Sequence, residues 1–249
     1  ALDRQEFSLV YQPQINFKTG DITGMEALLR WNHPELGEIS PNKFIPLAEK
    51  TDLMLHIGKW ALKTACQQNL AWQKDGLPPI LIGVNLSSRE FQQPNLAEIV
   101  ARVLDQTGLD PQWLELELTE KTLRNHLTAA PQVFQDLQNI GVRLCLDDFC
   151  TGYSAIGYLK QFSFRTVKIS QTFIRDLRGN TQDLAMIAAI TSLGRGFNTR
   201  IVAEAVETQQ QIELLQSQNC YEAQGYWFSK PLATDHATQF LIKGYSTVV

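Results

Sequence analysis

Eight polar residues, each standing in or just after a short apolar run, are the part of this 249-residue sequence equipped for chemistry. Glu26 interrupts Met25-Glu26-Ala27-Leu28-Leu29, Asn85 follows Ile82-Gly83-Val84, and Glu117 falls within Leu114-Glu115-Leu116-Glu117-Leu118. Asp147 and Asp148 follow Leu144-Cys145-Leu146, Lys168 sits in Thr166-Val167-Lys168-Ile169, Glu204 follows Ile201-Val202-Ala203, and Gln224 ends the run from Cys220. Five of the eight are carboxylates. Bringing them together in a pocket is prohibitively unfavourable without cations, because burial and mutual repulsion both oppose ionisation. The donors are carboxylate and amide oxygens with no His or Cys set, which favours Mg²⁺ or Mn²⁺ over zinc. Adjacent Asp147 and Asp148 suit a pair of ions about 3.5–4 Å apart, the arrangement that activates water for phosphoryl transfer. Lys168 is the one fixed cation of the set, placed to orient or deprotonate the attacking water or to hold a phosphate oxygen.

The elements that must present these residues follow from the apolar runs. Ser8 to Ile15 and Ile22 to Trp31 read as strands joined by the short segment Asn16-Phe17-Lys18-Thr19-Gly20-Asp21, hence an antiparallel hairpin. Six further strand runs span 79–84, 113–118, 142–146, 165–169, 200–203 and 220–223. Between them lie helical patterns, Ile57 to Lys74, Leu96 to Gln106, Ala130 to Asn139, Leu184 to Leu193 and Gln209 to Ser217. Strand and helix in alternation imply a parallel sheet, and eight strands suffice to close it. The expected fold is therefore an α/β (β/α)₈ TIM-type barrel with an antiparallel first strand, its strand exits converging on one mouth. No linker composition divides residues 1–249, so one domain is expected, a piece of a larger signalling protein.

Composition removes other classes. With 22 basic and 26 acidic side chains, a net charge of −4 and no basic run, neither duplex nucleic acid nor an anionic membrane is expected as a partner. No run nears the roughly 18 apolar residues of a membrane span, and a cytoplasmic location is expected. Cys66, Cys145, Cys150 and Cys220 form no CxxC pair and read as free thiols. His33, His56, His126 and His236 show no metal spacing and read as surface or loop residues. Gly194-Arg195-Gly196 reads as a turn, Asn85-Leu86-Ser87 as a chance glycosylation match, and Ile57, Trp60, Ala61, Thr64 and Ala65 as core packing. Glu115 is expected on the outer layer of its strand.

These residues also carry a family likeness. Tyr11-Gln12-Pro13, Glu26-Ala27-Leu28-Leu29-Arg30-Trp31, Phe44-Ile45-Pro46-Leu47-Ala48-Glu49, Val84-Asn85-Leu86-Ser87 and Glu117-Leu118-Thr119-Glu120 occur in the order found in EAL domains. So do Asp147-Asp148-Phe149, Thr151-Gly152-Tyr153-Ser154, Val167-Lys168-Ile169, Ala203-Glu204-Ala205-Val206-Glu207-Thr208 and Gln224-Gly225-Tyr226. The chain thus resembles the cyclic di-GMP phosphodiesterase family over nearly its whole length. The resemblance implies hydrolysis of cyclic di-GMP to linear pGpG with two Mg²⁺ or Mn²⁺ ions. It implies that Glu26, Asn85, Glu117 and Asp147 bind one ion, that Asp147 and Asp148 hold the second with Glu204 assisting through water, and that Lys168 activates the hydrolytic water. It places Gln12, Leu28 and Arg30 on the substrate, Arg30 through phosphate, where its fork suits the oxygens. Glu120 would brace the loop after Asp148, and Gln224 would position the water or Lys168. Family members commonly follow a GGDEF cyclase or sensor domain and pair as homodimers through the loop near Asp148.

Four positions depart from the family pattern: Cys150 and Ala205 stand where Gly is usual, Ser170 where Asp is usual in Lys-Ile-Asp, and Ala155 where Ser is common. A side chain at 150 restricts φ in the loop shaping the second metal site. The expected function is a metal-dependent cyclic di-GMP phosphodiesterase. The alternatives are a low-turnover cyclic di-GMP receptor, motivated by Cys150 and Ser170, and a barrel hydrolase for another phosphodiester.

Overall fold

The computed structural model describes residues 1–150, 155–175, 177 and 181–245. β1 (Phe7–Asn16) and β2 (Asp21–His33) form the expected hairpin, with Gln12 opposite Glu26. β3 (Gly37–Ile39) adds a three-residue antiparallel edge to β2. It is too short for a legible alternation in the sequence. β4 (Leu81–Asn85), β5 (Leu114–Thr119), β6 (Arg143–Phe149), β7 (Thr166–Ile169), β8 (Arg200–Ala203) and β9 (Glu222–Ala223) then run parallel in the order β2-β4-β5-β6-β7-β8-β9. β1 lies between β9 and β2, antiparallel to both, and closes the eight-stranded barrel.

Helices cover the outside. α1 (Pro41–Ala48) and α2 (Leu53–Lys74) lead into β4; α3 (Ser88–Phe91) and α4 (Leu96–Thr107) separate β4 from β5. α5 (Glu120–Asn125) and α6 (Ala130–Ile140) precede β6, α7 (Ala155–Gln161) precedes β7, and α8 (Gln171–Ile174) and α9 (Thr181–Phe197) precede β8. α10 (Gln209–Ser217) joins β8 to β9, and α11 (Thr234–Lys243) follows. The single-turn helices α3, α5 and α8 begin within three residues of a strand exit. Ser87, Thr119 and Ser170 cap them by accepting from the N–H groups of Glu90, Thr122 and Thr172. These caps turn the chain out of the barrel and leave the exit side chains pointing into the mouth.

Period-two alternation assigns the faces of β5. Leu114, Leu116 and Leu118 are buried against the helical layer, so Glu115 and Glu117 share the interior face. The expected outward placement of Glu115 is therefore incorrect: an even spacing from Glu117 puts both on one side. Glu115 is buried and accepts a 2.6 Å hydrogen bond from Thr166 Oγ1. Gly194-Arg195-Gly196 is likewise not a turn but lies inside α9. A Cβ at Gly194 would fall 2.4 Å from Ile201 Cγ1, so glycine there lets the helix approach β8. The apolar stripe from Ile57 to Ala65 lies on α2 and packs inward as expected.

Opposite the mouth, Arg200 plugs the barrel. Its Nη2 donates to Glu222 Oε2 (2.6 Å), Thr23 Oγ1 (3.0 Å) and Gln14 Oε1 (3.3 Å), joining β8, β9, β2 and β1. The four cysteines are free thiols. Among the described residues, no helix is long and apolar enough to cross a membrane.

Candidate active site at the barrel mouth

Lys168 stands at the centre of the mouth with no solvent exposure. Its Nζ lies 2.7 Å from Glu26 Oε2, 2.5 Å from Glu117 Oε2 and 3.4 Å from Glu204 Oε1, so β7 reaches β2, β5 and the exit of β8 through one ammonium. The remaining oxygen of Glu26 accepts from Asn85 Nδ2 at 2.7 Å, and Gln224 Nε2 donates to Glu26 Oε2 at 2.7 Å and to Gln12 Oε1 at 3.0 Å. Gln12 in turn donates to the Ser229 carbonyl at 3.1 Å. Five of the eight residues, Glu26, Asn85, Glu117, Lys168 and Gln224, thus form one hydrogen-bonded unit with Gln12, and Glu204 joins it as an ion pair.

The strand register explains the convergence. Gln12 pairs with Glu26 across β1 and β2, and Asn85 pairs with Glu117 across β4 and β5. Gly83 leaves room at this level, since a Cβ there would lie within 2.1 Å of Glu117 Oε1. Gly225 does the same at the rim: its Cβ would come within 2.1 Å of the Val206 carbonyl, so only glycine lets the exits of β8 and β9 zip together. Gln224 N–H to Ala203 and Val206 N–H to Gln224 are the bonds that result.

Electrostatics divide the cluster. Burial pushes the Glu26 carboxyl up, but the Lys168 charge and its hydrogen bonds prevail and hold it below the usual range. Burial and the neighbouring Glu26 push Glu117 well above it. Asp147 rises to about 6 through burial and the charges of Glu26 and Asp148, and Glu204 rises through burial and Asp147. Burial alone would lower Lys168, yet Glu117, Glu26, Asp147 and Glu204 together raise it well above its ordinary value. Four carboxyl groups are more than one ammonium can neutralise, so without a further cation Glu117, Asp147 and Glu204 are pushed toward their protonated forms.

That surplus is what a divalent cation satisfies, and the donors fit one. Glu117 Oε1 and Gln224 Oε1 are buried with no hydrogen-bond partner among the described residues. The set is oxygen-only, as Mg²⁺ and Mn²⁺ require. A buried trio that shares Glu117 with the mouth, Glu115, Glu117 and Cys145, has ligand atoms within 4.8 Å of one another. Its sulfur stays a thiol because burial and Glu117 raise Cys145 far above its usual value, so the oxygen set at the mouth is the better cation site.

Asp147 and Asp148 lie where the β6–β7 ladder shifts register between Leu146 and Phe149. Asp148 has φ 52°, its own N–H donates to Asp147 Oδ1 at 2.8 Å, and Ser170 Oγ donates to Asp148 Oδ1 at 2.9 Å. Cys150 and Ala205 have φ of 68° and 55°, the left-handed region that favours glycine. Burial raises the Cys150 thiol to about 11, with the Glu120 charge adding to the effect. Glu120 is buried at the start of α5, and neither of its oxygens has a partner among the described residues. The segment it is expected to brace, Thr151 to Ser154, lies outside the described residues, as does the side chain of Ala155.

Glu26, Leu28 and Arg30 occupy one face of β2 and climb outward in steps of two residues, about 6.6 Å each. Arg30 consequently stands apart from the Lys168 cluster. Its Nη1 donates to the Leu29 carbonyl at 2.9 Å and its Nε lies 3.5 Å from Glu38 Oε1. A cavity of ≈ 340 Å³ opens over the cluster, lined by Gln12, Glu26, Leu28, Glu204 and Gln224. A second, of ≈ 530 Å³, lies on the β2–β4 side and includes Leu28, Arg30 and Asn85. Arg175, Glu207 and Tyr226 also line the first cavity; Glu207 and Tyr226 stand within motifs quoted from the sequence, but none of the three was given a role there. All three follow a strand exit by a few residues, which is the signal that would have found them.

Fold and mouth define a class: closed α/β barrels with a reversed first strand and an acidic, lysine-centred C-terminal face. The family model for the EAL domain matches residues 1–231, and the chain belongs to that family. It is 43% identical over 244 residues to the Synechocystis protein sll1895, covering 98% of this chain and 35% of the relative. It is 40% identical over 235 residues to MucR of Pseudomonas aeruginosa, a bifunctional diguanylate cyclase/cyclic di-GMP phosphodiesterase, covering 94% of this chain and 34% of MucR. The MucR phosphodiesterase structure in complex with c-di-GMP superposes with a TM-score of 0.91 at 40% identity, covering 95% of this chain and 96% of that one. The chain spans about a third of the length of the two relatives.

Proposed function

We propose that this chain is a divalent-metal-dependent phosphodiesterase that hydrolyses cyclic di-GMP to linear pGpG. The observation that carries the reading is the Lys168 ammonium held between Glu26 Oε2 and Glu117 Oε2, inside a mouth where Asn85, Gln224 and Gln12 fix the same carboxylates. Glu26, Asn85, Glu117 and Asp147 would hold one Mg²⁺ or Mn²⁺ ion, and Asp147 and Asp148 the second, with Glu204 assisting. Bound there, the metals supply an activated water and neutralise charge developing on the phosphoryl group.

The chain's own groups do the rest. Lys168, ringed by carboxylates, would orient or activate the attacking water or hold a phosphate oxygen. Gln224 holds Glu26 and hence the orientation of Lys168. Gln12 and Leu28 line the cavity over the cluster, where the substrate backbone would lie. Arg30 is released to a phosphate only by giving up Glu38, a half-exposed pair worth little in water. An upstream GGDEF or sensor domain, homodimerisation and a cytoplasmic setting belong to the same reading, supported by the shared family and by MucR's own pairing of activities.

A second reading, a cyclic di-GMP receptor with little turnover, is favoured by Cys150 and Ala205 at left-handed φ and by Ser170 beside Asp148. Incubation of the purified chain with cyclic di-GMP and Mg²⁺, then Mn²⁺, with product followed by chromatography, separates the two. Rapid product formation abolished by EDTA is the expected result. Tight binding without product assigns the receptor role, and no binding with cleavage of an unrelated dinucleotide overturns both.

A further inference from the structure

Three consecutive barrel strands start at an arginine. Arg143 opens β6, Arg165 immediately precedes β7 and Arg200 opens β8. Main-chain bonds hold the three at one level: Arg165 N–H donates to the Leu144 carbonyl and Arg200 N–H to the Arg165 carbonyl, both at 2.9 Å. That level is the base of the barrel, remote from the mouth. Arg143 precedes Asp147 by four residues of β6, about 13 Å along the strand.

Alike in type and level, the three differ in their partners. Arg200 is neutralised by Glu222 at 2.6 Å. Arg143, half-buried, and Arg165, exposed, have no ion pair or side-chain hydrogen bond among the described residues. The nearby acids are engaged elsewhere. Glu115 lies beside Arg143 in the β5–β6 register but accepts from Thr166 Oγ1 at 2.6 Å inside the barrel. Asp110 accepts from the N–H of Gln112 at 3.0 Å and from its Nε2 at 2.9 Å.

Both unpaired arginines line one cavity of ≈ 610 Å³, together with Gln112, Gln138 and Ser163, and among the described residues no carboxylate lines it. In a chain of net charge −4 this is the electrostatic reverse of the mouth. The carbonyl end of α6 borders the cavity at Gln138 and Gly141, but its partial charge of about −0.5 is outweighed by two full positive charges.

We propose that this basal cavity is a second ligand site, which binds a dianionic phosphate group, free or as the terminal phosphate of a small organic monoester. The two guanidinium forks match phosphate oxygens in geometry and the dianion in charge. The Gln138 amide and the Ser163 hydroxyl add neutral donors. The volume falls within the roughly 300–1,000 Å³ of small-molecule sites, so an organic group fits beside the phosphate.

The test is isothermal titration calorimetry of the purified chain in EDTA, at about pH 8 and about 0.15 M salt, with inorganic phosphate and with ribose 5-phosphate. EDTA leaves the acidic mouth without cations, and ribose 5-phosphate has no base to compete for the proposed substrate site there. One or both ligands are expected to bind, which of them distinguishing a free ion from a monoester. Arg143→Gln and Arg165→Gln should each weaken that binding by about 10-fold or more. Arg102→Gln removes the same charge from an exposed position on α4 outside the cavity and should leave it unchanged. Thermal unfolding without ligand accompanies each variant. If Arg143→Gln fails to fold, Arg165→Gln, a change at an exposed side chain, decides alone. No binding of either ligand overturns the inference, as does binding unchanged in the cavity variants or weakened equally by Arg102→Gln. Turnover of cyclic di-GMP does not enter these measurements, so the site stands or falls independently of the phosphodiesterase reading.

Discussion

The two halves of the mouth are built on opposite principles. On β1, β2, β4, β5 and β7, and just past β9, side chains hold each other: Gln12, Glu26, Asn85, Glu117, Lys168 and Gln224 form one bonded unit. The exits of β6 and β8, which flank β7, instead place Asp148, Cys150 and Ala205 at positive φ, and the backbone itself is under tension. Non-glycine residues there cost about 1–2 kcal/mol each in local conformation. The first half is stiff because its charges are paired. The second is shaped by backbone conformations that glycine adopts more cheaply, so substitutions in the two halves have effects of different size and sign.

Removing the hub of the bonded half has the largest expected effect. Lys168→Ala leaves Glu26 and Glu117 buried without their cation, which costs about 3–5 kcal/mol of stability by urea denaturation. Hydrolysis of cyclic di-GMP is expected to fall by about 10²–10⁴-fold or more in the same variant. Full activity in Lys168→Ala breaks the comparison and the phosphodiesterase reading together.

Acid tests the charge shared by the two halves without mutation. Asp147 moves from its ordinary 3.8 to about 6 in the folded chain, so between those values the native state binds more protons than the unfolded one. Stability in EDTA therefore falls as pH rises from about 4 to about 6, by at most about 3 kcal/mol for this group. Glu117 and Glu204, also raised, add to the fall. Glu26 is lowered instead, and its contribution is lost only as pH drops below its ordinary 4.5, outside most of that window. Millimolar Mn²⁺ should flatten the profile by stabilising the ionised carboxylates. Urea midpoints that stay level or rise with pH in EDTA contradict the buried surplus of charge.

How much of this was legible in the sequence follows from what each feature depends on. Strand exits were legible because an apolar run ending in Asn, Asp or Glu is a local event, and Asn85, Glu117, Asp147, Lys168, Glu204 and Gln224 all reach one mouth. Barrel closure followed from strand count and alternation with helices. Glu115 was misplaced although the rule was available, since Leu114-Glu115-Leu116-Glu117-Leu118 puts both glutamates on one face by the period of two. Gly194-Arg195-Gly196 was read as a turn because its reason for glycine, the approach of Ile201, lies on another element. The Ser170–Asp148 bond was illegible for the same cause: it spans 22 residues and depends on a register shift no periodicity reveals. Arg200 and its partners escaped notice because their function is to seal the far end of the barrel.

The rim gives smaller effects of the opposite sign. Ala205→Gly relieves a left-handed φ of 55°, and after the greater entropy of glycine in the unfolded chain is subtracted, about 0.5–1 kcal/mol of stability should remain. Urea denaturation that shows Ala205→Gly destabilised would mean that its backbone is not strained and that the rim differs from the bonded half only in composition.

Cys150→Gly has the smallest expected effect. Its φ of 68° is costlier for a side chain than for glycine, but Cys150 also packs against the hydrophobic core, so deletion of the side chain offsets part of the relief. The net change in stability should lie within about 0.5 kcal/mol, while turnover rises if the conformation of the loop after Asp148 limits the rate. Measured together with Ser170→Asp, this variant separates two causes of slow hydrolysis. A rise with Cys150→Gly alone assigns the limit to backbone conformation; a rise with Ser170→Asp alone assigns it to charge beside Asp148. If neither changes the rate, both departures are tolerated, and the receptor reading loses the side-chain differences that favour it.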